Sequence, residues 1–141
     1  MRLTSFTDYG LRMLMRMASA PEQAFSTADL AEEFNLSRHH LSKIMQRLAR
    51  GGIVQTQRGG KGGARLCKAP GDIPLGSVVS LLESDQPLVE CLAVGQNTCT
   101  LEDRCGLKSR LRAAEAVFLA DLDRSTLADI ALARKPTRRT S

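Results

Sequence analysis

Long apolar runs are missing from this sequence. No stretch approaches the roughly 18–20 consecutive apolar residues of a membrane-spanning helix, and residues 1–8 lack the basic start and apolar run of a secretion signal. We therefore expect a cytoplasmic protein whose cysteines stay reduced. Its 141 residues, 43% of them apolar, fit one domain with an appendage, and a chain of this size buries a core without disulfides.

Catalytic motifs are also missing. The sequence has no serine–histidine–aspartate spacing and no pair of carboxylates arranged for acid–base chemistry. The glycine-rich run from Arg58 to Gly63 lacks the Gly-Lys-Ser/Thr ending and the following helix of a phosphate-binding loop. The sequence therefore predicts a protein that is not an enzyme.

Charge is distributed unevenly along the chain, although the net charge is only +5. Residues 35–71 contain eight lysines and arginines and no acid, whereas residues 72–105 contain six acids and a single base. Four more bases lie in the tail, 134–141, which we expect to be disordered. A basic block on a compact segment favours a polyanionic partner, and a merely solvated basic face is the alternative.

Helix signals dominate the first fifty residues. A helix over 4–20 carries Asp8 in its first turn, where the helix dipole favours an acid. A short helix over 28–34 and a third helix over 38–50 follow after a tight break. Because the third helix is capped by Ser37 and is basic on its outer face, the pair predicts a helix-turn-helix.

A β-hairpin follows the third helix. Strands over 53–57 and 64–67 are joined by the glycine-rich run, and a helix-turn-helix followed by a hairpin predicts a winged helix. The expected fold class is therefore mainly α with a small β-hairpin wing. With a further helix over 74–83, the DNA-binding domain spans 1–83. A winged helix that binds protein and not DNA is the alternative.

The exposed N-terminal residues of a recognition helix reach base edges in the major groove. Arg38 and His39 are the candidates for base recognition, while Lys43, Arg47 and Arg58 are expected to contact phosphates. The predicted DNA-binding set, including the wing, comprises Ser37, Arg38, His39, His40, Lys43, Arg47, Arg58, Lys61 and Arg65.

Three of the four cysteines, Cys91, Cys99 and Cys105, lie in an irregular segment over 84–106. Such a trio fits a zinc site, an iron–sulfur cluster or a redox thiol pair. The zinc interpretation lacks the usual pair of cysteines about two to four residues apart. The fourth cysteine, Cys67, is expected to be a small buried residue of the wing.

The sequence contains only two histidines, His39 and His40, and both lie on the predicted DNA face. A fourth ligand must therefore be a carboxylate, water or a residue from elsewhere, including another subunit. After the cysteine segment, a helix over 107–122 and a short final helix make up residues 107–133. The long helix repeats apolar side chains that pack on its own domain or on a second copy: Leu107, Leu111, Ala114, Phe118 and Leu122.

These motifs together resemble a known family. The start from Met1 to Arg12, Ser37 with its helix, the wing turn and the three cysteines occur in the order, and close to the spacing, of the winged-helix iron–sulfur regulators that include the NsrR, IscR and RirA types. The resemblance extends to about Ala133. It implies a homodimeric transcription regulator, expected to be a repressor, that binds operator DNA. It also implies an iron–sulfur cluster, 4Fe–4S ahead of 2Fe–2S, and a dimer interface on the 107–122 stripe.

The surroundings of the cysteines distinguish the types within this family. The IscR type has a histidine shortly after the third cysteine, whereas Gly106, Leu107 and Lys108 follow Cys105 here. In the nitric oxide-sensing NsrR type, an aspartate of the N-terminal helix is implicated as the fourth ligand, reaching the cluster of the other subunit, and Asp8 matches that position. The resemblance therefore favours the NsrR type.

Two alternatives remain. The iron-responsive RirA type has a similarly wide first gap between cysteines, which is seven residues in this chain. A zinc-bound structural winged helix without a sensing role is the alternative from another class.

Overall fold

The computed structural model describes residues 1–58, 62–95, 98–101 and 104–133; Lys61 and the predicted disordered tail lie outside them. The described elements, in chain order, are α1 (Ser5–Ala18), α2 (Thr27–Phe34), α3 (Arg38–Arg50), β1 (Val54–Gln57), β2 (Gly63–Leu66), α4 (Leu75–Leu82) and α5 (Gly106–Leu122). Single-turn 3-10 helices lie at Pro70–Asp72, Glu90–Leu92 and Leu127–Ile130. The predicted class, mainly helical with a small hairpin, is confirmed.

Side-chain caps start the first three helices. The hydroxyl of Thr4 accepts a hydrogen bond from the Thr7 amide at 3.2 Å, and that of Ser37 accepts one from the His40 amide at 3.3 Å. Such caps satisfy amides that have no partner within the helix. Asn35, with φ 54°, ends α2 in the left-handed conformation. Only three residues therefore separate α2 from α3, as expected for a helix-turn-helix.

The core lies between α1, α3 and α4. The apolar stripe of α3 is buried as its spacing predicts, so the opposite face of that helix is turned to solvent. The fully buried large side chains that the structure describes are Met13, Leu14, Met17, Leu30, Leu41, Ile44, Leu48, Leu82 and Leu127.

The wing is an antiparallel pair in which Val54 faces Leu66. Phe25 adds a bridge to its edge, since Phe25 and Ala64 exchange backbone hydrogen bonds of 2.9 and 2.8 Å. The prediction that Cys67 is buried is wrong, because this side chain is exposed. Strand residues alternate between faces, so the residue after the inward-facing Leu66 points outward.

Helix α5 packs on α4 at close range. A Cβ added at Gly76 would lie 2.1 Å from the carbonyl oxygen of Leu119, and the Ser77 amide donates to the Asp123 carboxylate at 2.9 Å. No side chain of α5, which the structure describes in full, is fully buried. No helix in the described ranges is long and apolar enough to cross a membrane.

The predicted stripe of α5 divides into two groups. Leu111, Phe118 and Leu122 are half-buried against their own chain, whereas Leu107 and Ala114 are exposed. Leu107 is 60% exposed, and Val117, which the prediction omitted, is 69% exposed. The helix therefore packs on α4 along one face and leaves a second, partly apolar face open.

Candidate functional site

Helix α3, the predicted recognition helix, presents a polar, basic face to solvent. Arg38, His39 and Lys43 of the predicted set are exposed on it. Gln46 and Arg50 are exposed as well, although the sequence analysis omitted them. They lie three and seven residues after Lys43, so helical periodicity alone places them on the same face.

Two predicted DNA-binding residues of α3 are engaged within the chain. His40 is half-buried, with its ring 5.4 Å from that of Tyr9 and 6.1 Å from that of Phe6. Arg47 forms an ion pair with Asp85 and donates to the Ser84 hydroxyl at 3.3 Å. Both side chains therefore turn toward the body of the domain.

The wing and α2 flank the exposed face of α3. Arg58 is exposed at the end of the hairpin, while Arg65 is half-buried and its Nε has no hydrogen-bond partner among the described residues. A groove of about 510 Å³ between α2, α3 and β1 is lined by Thr27, Ser42, Met45, Gln46, Ala49, Arg50 and Thr56. This surface offers donors to a phosphate backbone on both sides of the recognition helix.

The three cysteines of the predicted cluster site lie in the chain segment between α4 and α5. Cys91, Cys99 and Cys105 are half-buried, and none of the chain's four cysteines, all of which are described, forms a disulfide. The Glu90 carboxylate accepts hydrogen bonds from the amide of Thr98, at 3.1 Å, and from its hydroxyl. These hydrogen bonds lower the pKa of Glu90. They also tie the neighbour of Cys91 to the neighbour of Cys99.

The described residues do not form a complete metal site within one chain. No three Cys, His, Asp or Glu side chains among them lie close enough together to hold a metal ion. The donor chemistry nevertheless fits an iron–sulfur cluster, because three thiols share one segment and thiolate is the usual ligand of such clusters.

Asp8 lies on α1 and belongs to no group of three or more metal-binding side chains among the described residues. Its two carboxylate oxygens accept hydrogen bonds from the Arg12 guanidinium at 3.1 and 2.8 Å. The side chain stays 48% exposed. A group from outside the chain can therefore reach the Asp8 carboxylate if it displaces the Arg12 guanidinium from its hydrogen bonds.

Glu83 joins the start of α1 to the end of α4. One carboxylate oxygen accepts hydrogen bonds from the backbone amide and the hydroxyl of Thr4, both at 2.8 Å. Burial by itself raises the pKa of Glu83, but hydrogen bonds from Thr7 and Thr4 outweigh it and hold that pKa below its usual 4.5. The ionised carboxylate therefore holds the two helices together.

The lowered pKa of Glu83 predicts that the protein loses folding stability as the pH falls. Because the folded-state pKa of Glu83 is lowered, its contribution is present above the unfolded-state pKa and is lost as the pH falls through the folded-state value. We expect the free energy of unfolding of Glu83→Gln to depend less on pH below 4.5 than that of the wild type. Urea denaturation across this range measures it, with the exposed Glu32→Gln on α2 as control. Parallel curves for the wild type and Glu83→Gln contradict the assignment.

Comparison with known proteins identifies the family. The model of the Rrf2 family, described as an iron-dependent transcriptional regulator, matches residues 3–133. The chain is similar to the HTH-type transcriptional regulator NsrR of Geobacillus kaustophilus, with 42% identity covering 92% of this chain and 89% of that protein. It is 41% identical to the Bacillus subtilis protein of the same name, covering 92% and 90%.

Solved structures share the fold. The oxidised form of CymR from Staphylococcus aureus has a TM-score of 0.68 at 28% identity, covering 93% of this chain and 96% of that one. The IscR of T. potens has a TM-score of 0.67 at 24% identity, covering 92% and 85%, and supports the fold alone. The chain therefore belongs to the Rrf2 family, and it is a transcription regulator of the winged-helix type, not an enzyme.

Proposed function

We propose that this regulator is a homodimeric repressor whose operator binding is controlled by an iron–sulfur cluster and by nitric oxide. The observation that carries the proposal is the arrangement of Cys91, Cys99 and Cys105, three half-buried thiols in one segment between the DNA-binding domain and α5. The family description as iron-dependent and the NsrR relatives support it. We place its action in the cytoplasm, where the thiols stay reduced.

The DNA-binding role is assigned to the exposed face of α3. Arg38 and His39 are proposed to reach base edges, Lys43 and Arg58 to meet phosphates, and the half-buried Arg65 to support the wing. Two copies would present two such helices to successive major grooves. The open face of α5 with Leu107, Ala114 and Val117 is the proposed dimer contact.

Three thiolates leave one iron without a cysteine ligand. We propose that Asp8 of the partner subunit fills this place, because the chain's own Asp8 is exposed and does not join a metal-binding group within its chain. When bound, a 4Fe–4S cluster would supply the centre that reacts with nitric oxide. A carboxylate oxygen binds soft iron less firmly than thiolate does, so the iron held by Asp8 would be the most weakly bound iron of the cluster.

Metal and sulfide analysis of anaerobically purified protein tests the cofactor. The proposal predicts iron and sulfide in near-equal amounts. Zinc without sulfide would support the structural winged helix with no sensing role. Loss of operator binding on iron withdrawal, without a response to nitric oxide, would support the iron-responsive RirA type.

The proposed DNA-binding face of α3 predicts different effects for a residue that contacts a base and for one that contacts a phosphate. Arg38→Ala should cost about 1–3 kcal/mol of binding free energy and relax discrimination at one base pair. Lys43→Ala should weaken binding evenly across sequences and reduce the salt dependence by about one counterion. Titrations of operator and scrambled duplexes at several salt concentrations measure both, with the exposed Arg124→Ala beyond α5 as control. Equal effects of all three changes contradict the assigned face.

A further inference from the structure

Arg47 is the most highly connected cation of the recognition helix. Its guanidinium pairs with the Asp85 carboxylate, donates to the Ser84 hydroxyl at 3.3 Å and approaches the Leu82 carbonyl oxygen at 3.5 Å. On its other side it lies 4.9 Å from the centre of the Phe6 ring. Only 22% of the side chain is exposed.

These contacts join α3 to both segments that carry the proposed cluster ligands. Asp85 lies six residues before Cys91, at the start of the cysteine segment, and Phe6 lies two residues before Asp8 on α1. Arg47 itself is on the C-terminal half of the recognition helix, on the side of α3 next to the domain body. The Arg47 side chain therefore contacts both the cysteine segment, at Asp85, and α1, at Phe6. A movement of either segment would displace a group that Arg47 contacts.

We propose that Arg47 is a positioning residue that couples the state of the cysteine segment to the placement of the recognition helix. The inference rests on the proposed cluster-controlled function. A shift of the 85–91 backbone moves the Asp85 carboxylate, and the guanidinium that is paired with it moves α3 along with that carboxylate. Because the helix is rigid, a displacement transmitted at one end changes the angle at which its exposed face meets DNA.

The planar guanidinium of arginine, with its donors in fixed directions, is essential to this positioning role. The guanidinium donates from two nitrogens in fixed directions, to Asp85 and to Ser84, while its central carbon lies over the Phe6 ring. A lysine keeps the positive charge but has a single ammonium and no flat face. Arg47→Lys therefore separates positioning from simple attraction to phosphate.

Asp85→Asn gives the sharper test, because the two roles predict opposite signs. If Arg47 binds phosphate, removing the acid that neutralises it should strengthen DNA binding. If Arg47 positions α3, the same change should weaken operator binding by the cluster-loaded protein. We expect the ratio of operator affinities between cluster-loaded and cluster-free protein to fall about fivefold or more in both Asp85→Asn and Arg47→Lys. Asp72→Asn, an equal charge change at an exposed residue outside these contacts, is the control.

A second measurement keeps this inference separate from the cofactor. In cluster-free protein, amide hydrogen exchange in the C-terminal half of α3 should be faster in Asp85→Asn and Arg47→Lys than in the wild type and Asp72→Asn. If the wild type assembles no cluster, the proposed function fails while this exchange difference remains. Unchanged exchange together with an unchanged or increased operator affinity in Asp85→Asn overturns the positioning role.

Discussion

Replacing Cys91, Cys99 or Cys105 by alanine is expected to abolish the visible absorbance of the anaerobically purified protein and the response of its operator binding to nitric oxide. Each change removes one of three thiolates from a site that has no histidine to substitute for it. Cys67→Ala should leave the absorbance and the response unchanged, because this exposed residue lies beyond the wing.

Unfolding and absorbance measurements on the four alanine variants together distinguish loss of a cluster ligand from loss of the fold. The three segment cysteines are only half-buried, so their removal should leave the winged helix folded. Iron content should fall in these three variants alone. Full absorbance and an unaltered operator response in all three contradict a cluster at this segment, whereas equal losses in Cys67→Ala contradict the assignment of the ligands.

Gly76→Ala is expected to separate α4 from α5. The added Cβ would lie 2.1 Å from the Leu119 carbonyl oxygen and 2.6 Å from the Asp123 carboxylate, so the backbone of α5 must move. Overpacking of this kind typically costs about 1–3 kcal/mol, and here the obstructing atom is backbone, which places the expected loss at about 3 kcal/mol. Thermal and urea unfolding measure the loss.

Gly71→Ala is the matched control for this change. Gly71 is exposed, and a Cβ there meets nothing within 4 Å. Because α5 carries the proposed dimer face, Gly76→Ala should also raise the concentration at which the dimer dissociates, measured by sedimentation. Equal stabilities of the Gly76 and Gly71 variants contradict the close α4–α5 packing.

Local signals in the sequence predict much of this fold. Ser37 is recognisable as a cap because its hydroxyl has an amide to bind three residues later, and the structure places that bond at 3.3 Å. The period of α3 identifies both its buried stripe and its outer face. The glycine-rich turn between two short strands identifies the wing. Each feature depends only on residues close together in the chain.

Contacts between distant residues account for what the sequence analysis missed. Arg47 meets Asp85 across 38 positions, and His40 meets Tyr9 and Phe6 of another helix. Periodicity shows which face of a helix is apolar but not which neighbour covers it, and for this reason the stripe of α5 divides between Leu111 and Leu107. The assignment of Asp8 as a ligand stays a prediction for the same reason, since it requires a second subunit.

Anaerobic titration of the purified protein with nitric oxide, following cluster absorbance and operator binding in the same sample, tests the central claim most directly. The proposal predicts that both signals fall together within the first few equivalents of nitric oxide per cluster, and that an iron chelator at matched concentration acts more slowly. Operator binding that persists after the absorbance has gone, or that falls only with the chelator, would contradict control by nitric oxide.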